Sequence, residues 1–287
     1  MDIMGKRKIW YLVSMIIIVT GLIFLLFNGL NMGIDFQGGT LLEFKFDHPV
    51  SNDEIRNLLA EMGIAPDAKI QQSEQQGIHG VIIRAKELSP EEIVSLENSL
   101  KNVVPSTEML RTEMVGPLIG RELRVKAFWA LLMASIAIVI YISIRFEFRF
   151  AIIAIVTLFH DVLITLGLFA IIGREVNTPF VAALLTIIGY SINDTIVIFD
   201  RIRENMKLMQ RVPFIEQANQ AVVDTLPRSI NTSLTTLITI LAIYFFGGAS
   251  VKTFMLALFI GMFAGTYSSI FIASPLLVTW QKRLANR

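Results

Sequence analysis

Long apolar runs alternate with short charged ones along this sequence, and one polar stretch of about a hundred residues interrupts the series. A membrane-crossing helix needs about 20 mostly apolar residues. Six stretches meet that length: Ile9–Leu30, Ala127–Ile144, Phe150–Ile172, Pro179–Phe199, Ser229–Phe246 and Thr253–Trp280. The spacing predicts a first unit over 1–30 (N-terminus and first span), a soluble domain over 31–126, and a bundle of the remaining spans over 127–287. Lys6-Arg7-Lys8 precede the first run as they would in a signal peptide. The run exceeds a usual signal core and no A-x-A site follows, so an uncleaved anchor is expected.

Within 31–126 the period switches between two and 3.6. Leu41–Phe46 reads as a strand. Ser51 caps a helix with Glu54 at the capping-box position, and Met62-Gly63 ends it. Ala68–Glu74 and Gly80–Ala85 read as strands around Gln75-Gln76-Gly77. Ser89-Pro90-Glu91-Glu92 opens a second helix, and Thr107–Val115 is a last strand. The order βαββαβ predicts a ferredoxin-like α+β domain. The loop 200–228 is basic at its start, and Ile215, Ala218, Val222, Val223 and Leu226 share one face. A short amphipathic helix capping the bundle is expected there.

Composition sharpens the picture. The chain of 287 residues is 54% hydrophobic and 17% charged, against about 45–50% and about 25% in soluble domains. A net charge of +1 argues against a nucleic-acid binder, and the absence of cysteine excludes disulfides and thiolate metal sites. Three scattered histidines make any metal site improbable on spacing. With the N-terminus inside, short inner segments hold 13 Lys and Arg, against Arg174 and Lys252 in the short outer loops. Arg121, Arg124 and Lys126 run against this bias but end a long loop. Both termini are expected in the cytoplasm, with 31–126 outside.

Ionisable residues within spans are rare because each costs at least about 2.5–3.5 kcal/mol at a helix centre. Asp194 is one, six residues before Asp200 and so roughly 9 Å deeper. Arg228 opens the fifth span, followed by Asn231, Thr232, Thr235, Thr236 and Thr239 on one face. Thr157, Asp161 and Thr165 form a lesser stripe in the third span, beside His160. Together with Asn193 these predict a polar seam inside the bundle, with Arg228 as counter-charge to Asp194. A proton or cation relay is weighed against a polar clamp that fixes packing. The relay is favoured for Asp194, and both readings stand for His160-Asp161. Small residues at Gly261, Gly265, Ser269 and Ala273, and at Ala127, Ala130, Ala134 and Ala137, predict close helix packing. An aspartyl dyad of Asp161 and Asp194 is disfavoured by their different expected depths, and no enzyme motif is present.

Gly33-Ile34-Asp35-Phe36-Gln37-Gly38-Gly39-Thr40 resembles the G-x-D-F-x-G-G-T signature of the SecD and SecF family, the paired accessory subunits of the bacterial Sec translocase. Residues 115–123 (VGPLIGREL), 159–162 (FHDV), 189–203 (GYSINDTIVIFDRIR) and 228–233 (RSINTS) fit the SecF side of that family, in order along essentially the whole chain. The resemblance implies a bundle of the resistance–nodulation–division type, the inner membrane as location, and export of preproteins assisted by the proton motive force. It implies no cofactor. Implied partners are SecD and the SecYEG channel, with YajC, YidC, the preprotein and membrane lipid as further candidates. By motif Asp194 and Arg228 match the family's essential membrane Asp and Arg, and Asp161 is grouped with them as a relay residue. Gly33, Asp35, Phe36, Gly38 and Gly39 are read as a turn coupling the outer domain to the membrane, with the glycines allowing sharp reversals. A small-molecule exporter component and a scaffold with no proton path remain as alternatives.

Overall fold

A computed structural model describes residues 1–75 and 78–285. Two compact units emerge: Met1–Asn31 with Phe128–Arg287, and Met32–Ala127. Among the described residues, six helices are long and apolar enough to cross a membrane. The chain is thus a polytopic α-helical membrane protein with a small α+β domain.

The first span is α1 (Arg7–Asn28), followed by a two-residue strand β1 (Asn31–Met32). In the α+β unit come a single helical turn α2 (Ile34–Gln37), then β2 (Gly39–Phe46), α3 (Asn52–Glu61), β3 (Lys69–Gln75), β4 (Ile78–Ala85), α4 (Pro90–Val103) and β5 (Glu108–Val115). The sheet order is β3-β4-β2-β5 with every neighbouring pair antiparallel. That is the split-βαβ pattern predicted from the element order. β2 is central and almost wholly buried, whereas β5 alternates along an edge. Leu42, Phe44, Ile55, Ile83, Leu96 and Leu100 form its core. Both helices begin with reciprocal capping boxes, Ser51 with Glu54 and Ser89 with Glu92. Gln76 and Gly77 of the expected turn lie outside the described residues.

The remaining spans are α5 (Pro117–Arg145), α6 (Phe148–Ile172), α7 (Thr178–Leu208), α8 (Phe214–Phe246) and a sixth made of α9 (Ala249–Ser268), a π turn (Ser269–Ala273) and α10 (Ser274–Ala285). A strand β6 (Glu175–Val176) precedes α7. Several helices outrun their apolar stretches. α5 starts ten residues earlier than the hydropathy indicates, because Pro117 suits a first helical position and Arg121, Glu122, Leu123, Arg124 and Lys126 are good helix formers despite their charges. The expected separate helix in 200–228 does not exist as such. α7 continues to Leu208, and α8 begins at Phe214 and runs unbroken through Pro227. Its amphipathic face does cap the bundle: Ala218, Ala221 and Val222 are buried with Ile3, Met4 and Ile202. Asn219 fastens the N-terminal turn there, accepting from the Ile3 and Met4 amides and donating to the Met1 carbonyl. Phe146, Phe150 and Phe199 pack edge-on or tilted at the centre of this core.

α6, α7 and the sixth span are half-buried, while α1, α5 and α8 are mostly exposed. The small residues of α9 do what their spacing predicts. A Cβ on Gly261 would strike Ile187, and one on Gly265 would stand 2.9 Å from the Ser191 Cβ. The alanine file of α5 does not: Ala130 and Ala137 are exposed.

Candidate functional site

Two buried carboxylates meet the middle of α7 in contrasting ways. Asp161 of α6 is fully enclosed, at 0% exposure. Its Oδ1 lies 2.8 Å from His160 Nδ1. Its Oδ2 accepts hydrogen bonds from Ser191 Oγ of α7 at 2.5 Å and Ser268 Oγ of α9 at 2.8 Å. His160 Nε2 in turn lies 3.0 Å from Ser14 Oγ of α1. The π turn follows Ser268 directly, and Ser269 meets Thr195 Oγ1 at 2.9 Å. A π turn puts one extra residue into a helical turn and is frequent at functional sites.

Asp194 is also buried, at 5% exposure, but is poorly bonded. Its one side-chain partner is Ser233 Oγ of α8, at a marginal 3.5 Å. That hydroxyl also stands 2.7 Å from Thr266 Oγ1, which lies 2.9 Å from the Met262 carbonyl. With one proton on each hydroxyl, Ser233 reaches Asp194 only when Thr266 turns away from Met262. Tyr190 Oη, one turn before Asp194, and Ser229 Oγ, one turn before Ser233, are buried without a hydrogen-bond partner. Asp194 therefore sits in an under-bonded polar strip, where a proton or a water would find open acceptors and donors.

The two acids lie closer in depth than the sequence led us to expect. Asp161 meets α7 at Ser191, three residues and about 4.5 Å of rise from Asp194. They nonetheless form no dyad, since both Asp161 oxygens are taken up elsewhere.

The polar seam is only partly assembled by this chain. Thr157 and Thr165 are buried, but their hydroxyls bond their own helix. On α8 the buried face carries Ser229 and Ser233. Asn231, Thr232 and Thr235 are exposed and Thr236 is half-buried, because they lie on the other side of the helix. Asn193 is exposed for the same reason, one position from Asp194. Arg228 is exposed too and forms no ion pair with Asp194. The seam thus divides into an inner strip on Ser and Thr and an outer stripe that nothing in this chain covers. The serines of the inner strip escaped the sequence reading. Ser14 is one of two hydroxyl-bearing Ser or Thr in an apolar span, and Ser191 and Thr195 are four apart, which was the available signal.

The glycine turn of the α+β unit is built on close backbone approach. Gly38 and Gly39 adopt φ of +79° and +126°, where a side chain is strained. A Cβ on Gly39 would stand 2.4 Å from the Ala85 carbonyl oxygen. Gly33 departs from expectation: its φ of −76° suits any residue, so it makes no left-handed reversal. Asp35 lies in the first turn of α2, and Phe36 is buried. Among the described residues no three His, Asp or Glu side chains cluster so as to hold a metal ion.

Residues 95–283 match the family described as protein export membrane protein SecD/SecF, C-terminal, and residues 23–50 match the SecD/SecF GG motif. The chain belongs to the SecD/SecF family. The protein translocase subunit SecF of Thermobaculum terrenum is 44% identical, over 98% of this chain and 94% of that one. SecF of Haemophilus influenzae is 39% identical, over 95% and 83%. The SecDF crystal structure from Thermus thermophilus, described as a translocon-associated membrane protein, superimposes with a TM-score of 0.91 at 38% identity. It covers 99% of this chain, which spans 39% of that one. SecDF in its super-membrane-facing form gives 0.74 at 37% identity. Within the SecD/SecF family, then, this chain has the length of the separate SecF subunits.

Proposed function

We propose that this chain is the SecF subunit of a bacterial protein translocase. It works with a SecD partner in the inner membrane and uses the proton motive force at Asp194 to assist preprotein export. The reading rests on its SecF relatives and on one observation: a buried, intramembrane carboxylate with a single marginal hydrogen bond and unpartnered hydroxyls on either side. Such a group can take up and release a proton with little rearrangement, as a fully bonded carboxylate cannot. One charge crossing 100 mV is worth about 2.3 kcal/mol, enough to bias a two-state motion. Arg228 supplies a positive charge at the mouth of the strip.

A SecD partner is supported by the fused SecDF of Thermus thermophilus, 41% identical over 89% of this chain. The exposed Asn231 on α8 supports it as well, since a polar amide facing lipid is unfavourable, whereas the Thr hydroxyls of that stripe bond their own helix. Contact with SecYEG, YajC, YidC and the preprotein rests on family resemblance. Placement of both termini in the cytoplasm rests on the charge bias. The chain's role is that of an accessory subunit with no catalytic residues of its own.

The test is Asp194→Asn, which keeps shape and hydrogen bonding but cannot titrate. Gradient-driven export falls toward that of cells lacking the subunit, while assembly with SecD persists. Normal export at normal abundance would discard the relay and leave the scaffold reading.

A further inference from the structure

A file of hydrogen bonds runs from Asp161 to the backbone of α1, and its far end fixes the direction of every link. The Trp10 carbonyl can only accept, so Tyr267 Oη, 3.1 Å away, gives its one proton there. Ser14 Oγ lies 3.3 Å from Tyr267 Oη, and Ser14 must therefore be the donor. The Ser14 proton is then committed. His160 Nε2, 3.0 Å from Ser14 Oγ, has to carry a hydrogen. A neutral imidazole protonated on Nε2 has a bare Nδ1. That atom stands 2.8 Å from Asp161 Oδ1, a separation at which two bare acceptors repel.

We infer that His160 and Asp161 form a proton-binding site that holds one proton between imidazole and carboxylate, kept there by Tyr267 acting through Ser14. The count is the same whether it is written as imidazolium with carboxylate or as imidazole with carboxylic acid. Burial supports it independently. His160 and Asp161 are 8% and 0% exposed in their side chains, and no Lys or Arg is ion-paired to Asp161 among the described residues. With a neutral imidazole and an ionised acid, the pair would carry an uncompensated charge in the bundle centre. With the extra proton it is neutral overall. The packed helices present Ser14 from α1, Ser191 from α7, and Tyr267 and Ser268 from α9, and of these only Tyr267 can titrate. Asp194 follows Ser191 by one turn on α7. Tyr267 is thus a positioning residue, two links from the proton it retains.

The site adds to the proton-driven reading above but rests on bond directions and burial at His160 and Asp161, with no part played by Asp194. Export assays of Asp194 and the measurement below can fail separately. The measurement is nitrogen NMR of ¹⁵N-histidine in the full chain, assembled with its partner in lipid nanodiscs at neutral pH. The chain has three histidines, so His48→Gln with His79→Gln leaves His160 as the one signal. The expected spectrum shows hydrogen on Nε2 and a proton shared at Nδ1. Tyr267→Phe frees the Ser14 proton to turn toward Nε2, and His160 moves to the neutral Nδ1–H form with one proton lost. Asp161→Asn loses the proton too but keeps hydrogen on Nε2. A bare Nε2 in the otherwise unsubstituted protein overturns the inference. So does an unchanged tautomer in Tyr267→Phe. The first reading needs no variant at the site, so a misfolded Tyr267→Phe protein leaves the question decidable.

Discussion

Gly21 of α1 and Gly167 of α6 touch backbone to backbone: a Cβ on Gly21 would lie 2.7 Å from the Gly167 Cα, and one on Gly167 2.8 Å from the Gly21 Cα. Ser14 and His160, in hydrogen-bond contact, are 146 positions apart in the chain, and the two glycines keep that same offset. α1 and α6 therefore run parallel, with contacts seven residues apart along one seam. The glycine contact sets how closely Ser14 can approach His160.

Gly21→Ala and Gly167→Ala should each destabilise the membrane unit by about 1–3 kcal/mol, as overpacked cores do. Gly189→Ala is the control, because no atom comes within 4 Å of its built Cβ. Thermal unfolding of the detergent-solubilised protein checks this. Equal midpoints for all three variants would refute the seam.

Two glycines four residues apart, Gly116 directly before α5 and Gly120 in its first turn, separate close packing from mere flexibility. Gly116 has open space where a Cβ would go, whereas a Cβ on Gly120 would stand 3.0 Å from Gly38 N and 3.2 Å from the Phe36 carbonyl oxygen. Gly116→Ala should accumulate and function normally. Gly120→Ala should lose much of its steady-state level, read by immunoblot and by protease resistance of the α+β domain.

The stripe on α8 can be mapped without removing any native thiol, since the sequence has no cysteine. Thr235→Cys and Thr239→Cys, both on exposed positions, should cross-link to a cysteine-bearing SecD partner in membranes. Ser233→Cys, on the buried face, should not. Cross-linking at Ser233 in preference to Thr235 would mean that the partner sits elsewhere.

Hydropathy made all six spans legible because each is long, and turn chemistry made the α+β domain legible because Ser51 and Ser89 cap as their motifs dictate. Helix ends were less so. Charged residues such as Arg121 and Lys207 break a hydropathy run but not a helix, and Pro227 is absorbed within α8. Asp161, Asp194 and Arg228 stood out as charges in apolar surroundings. Their partners did not, since a serine in a span usually bonds its own helix. Whether Ser14 or Ser233 instead reaches a neighbour depends on helix rotation, which one sequence does not report. The orientation of the α8 threonines is of the same kind: spacing defines a face, and packing decides where that face points.

The close contact of Gly120 with Phe36 and Gly38 has an architectural consequence. The first helical turn of the α+β unit and the helix that ends it are clasped at one backbone joint, so the four-stranded sheet between them is a module whose ends already meet. Modules with adjacent ends tolerate exchange and changes of length. Loops of this domain can therefore lengthen or shrink over evolutionary time while the clasp keeps its register.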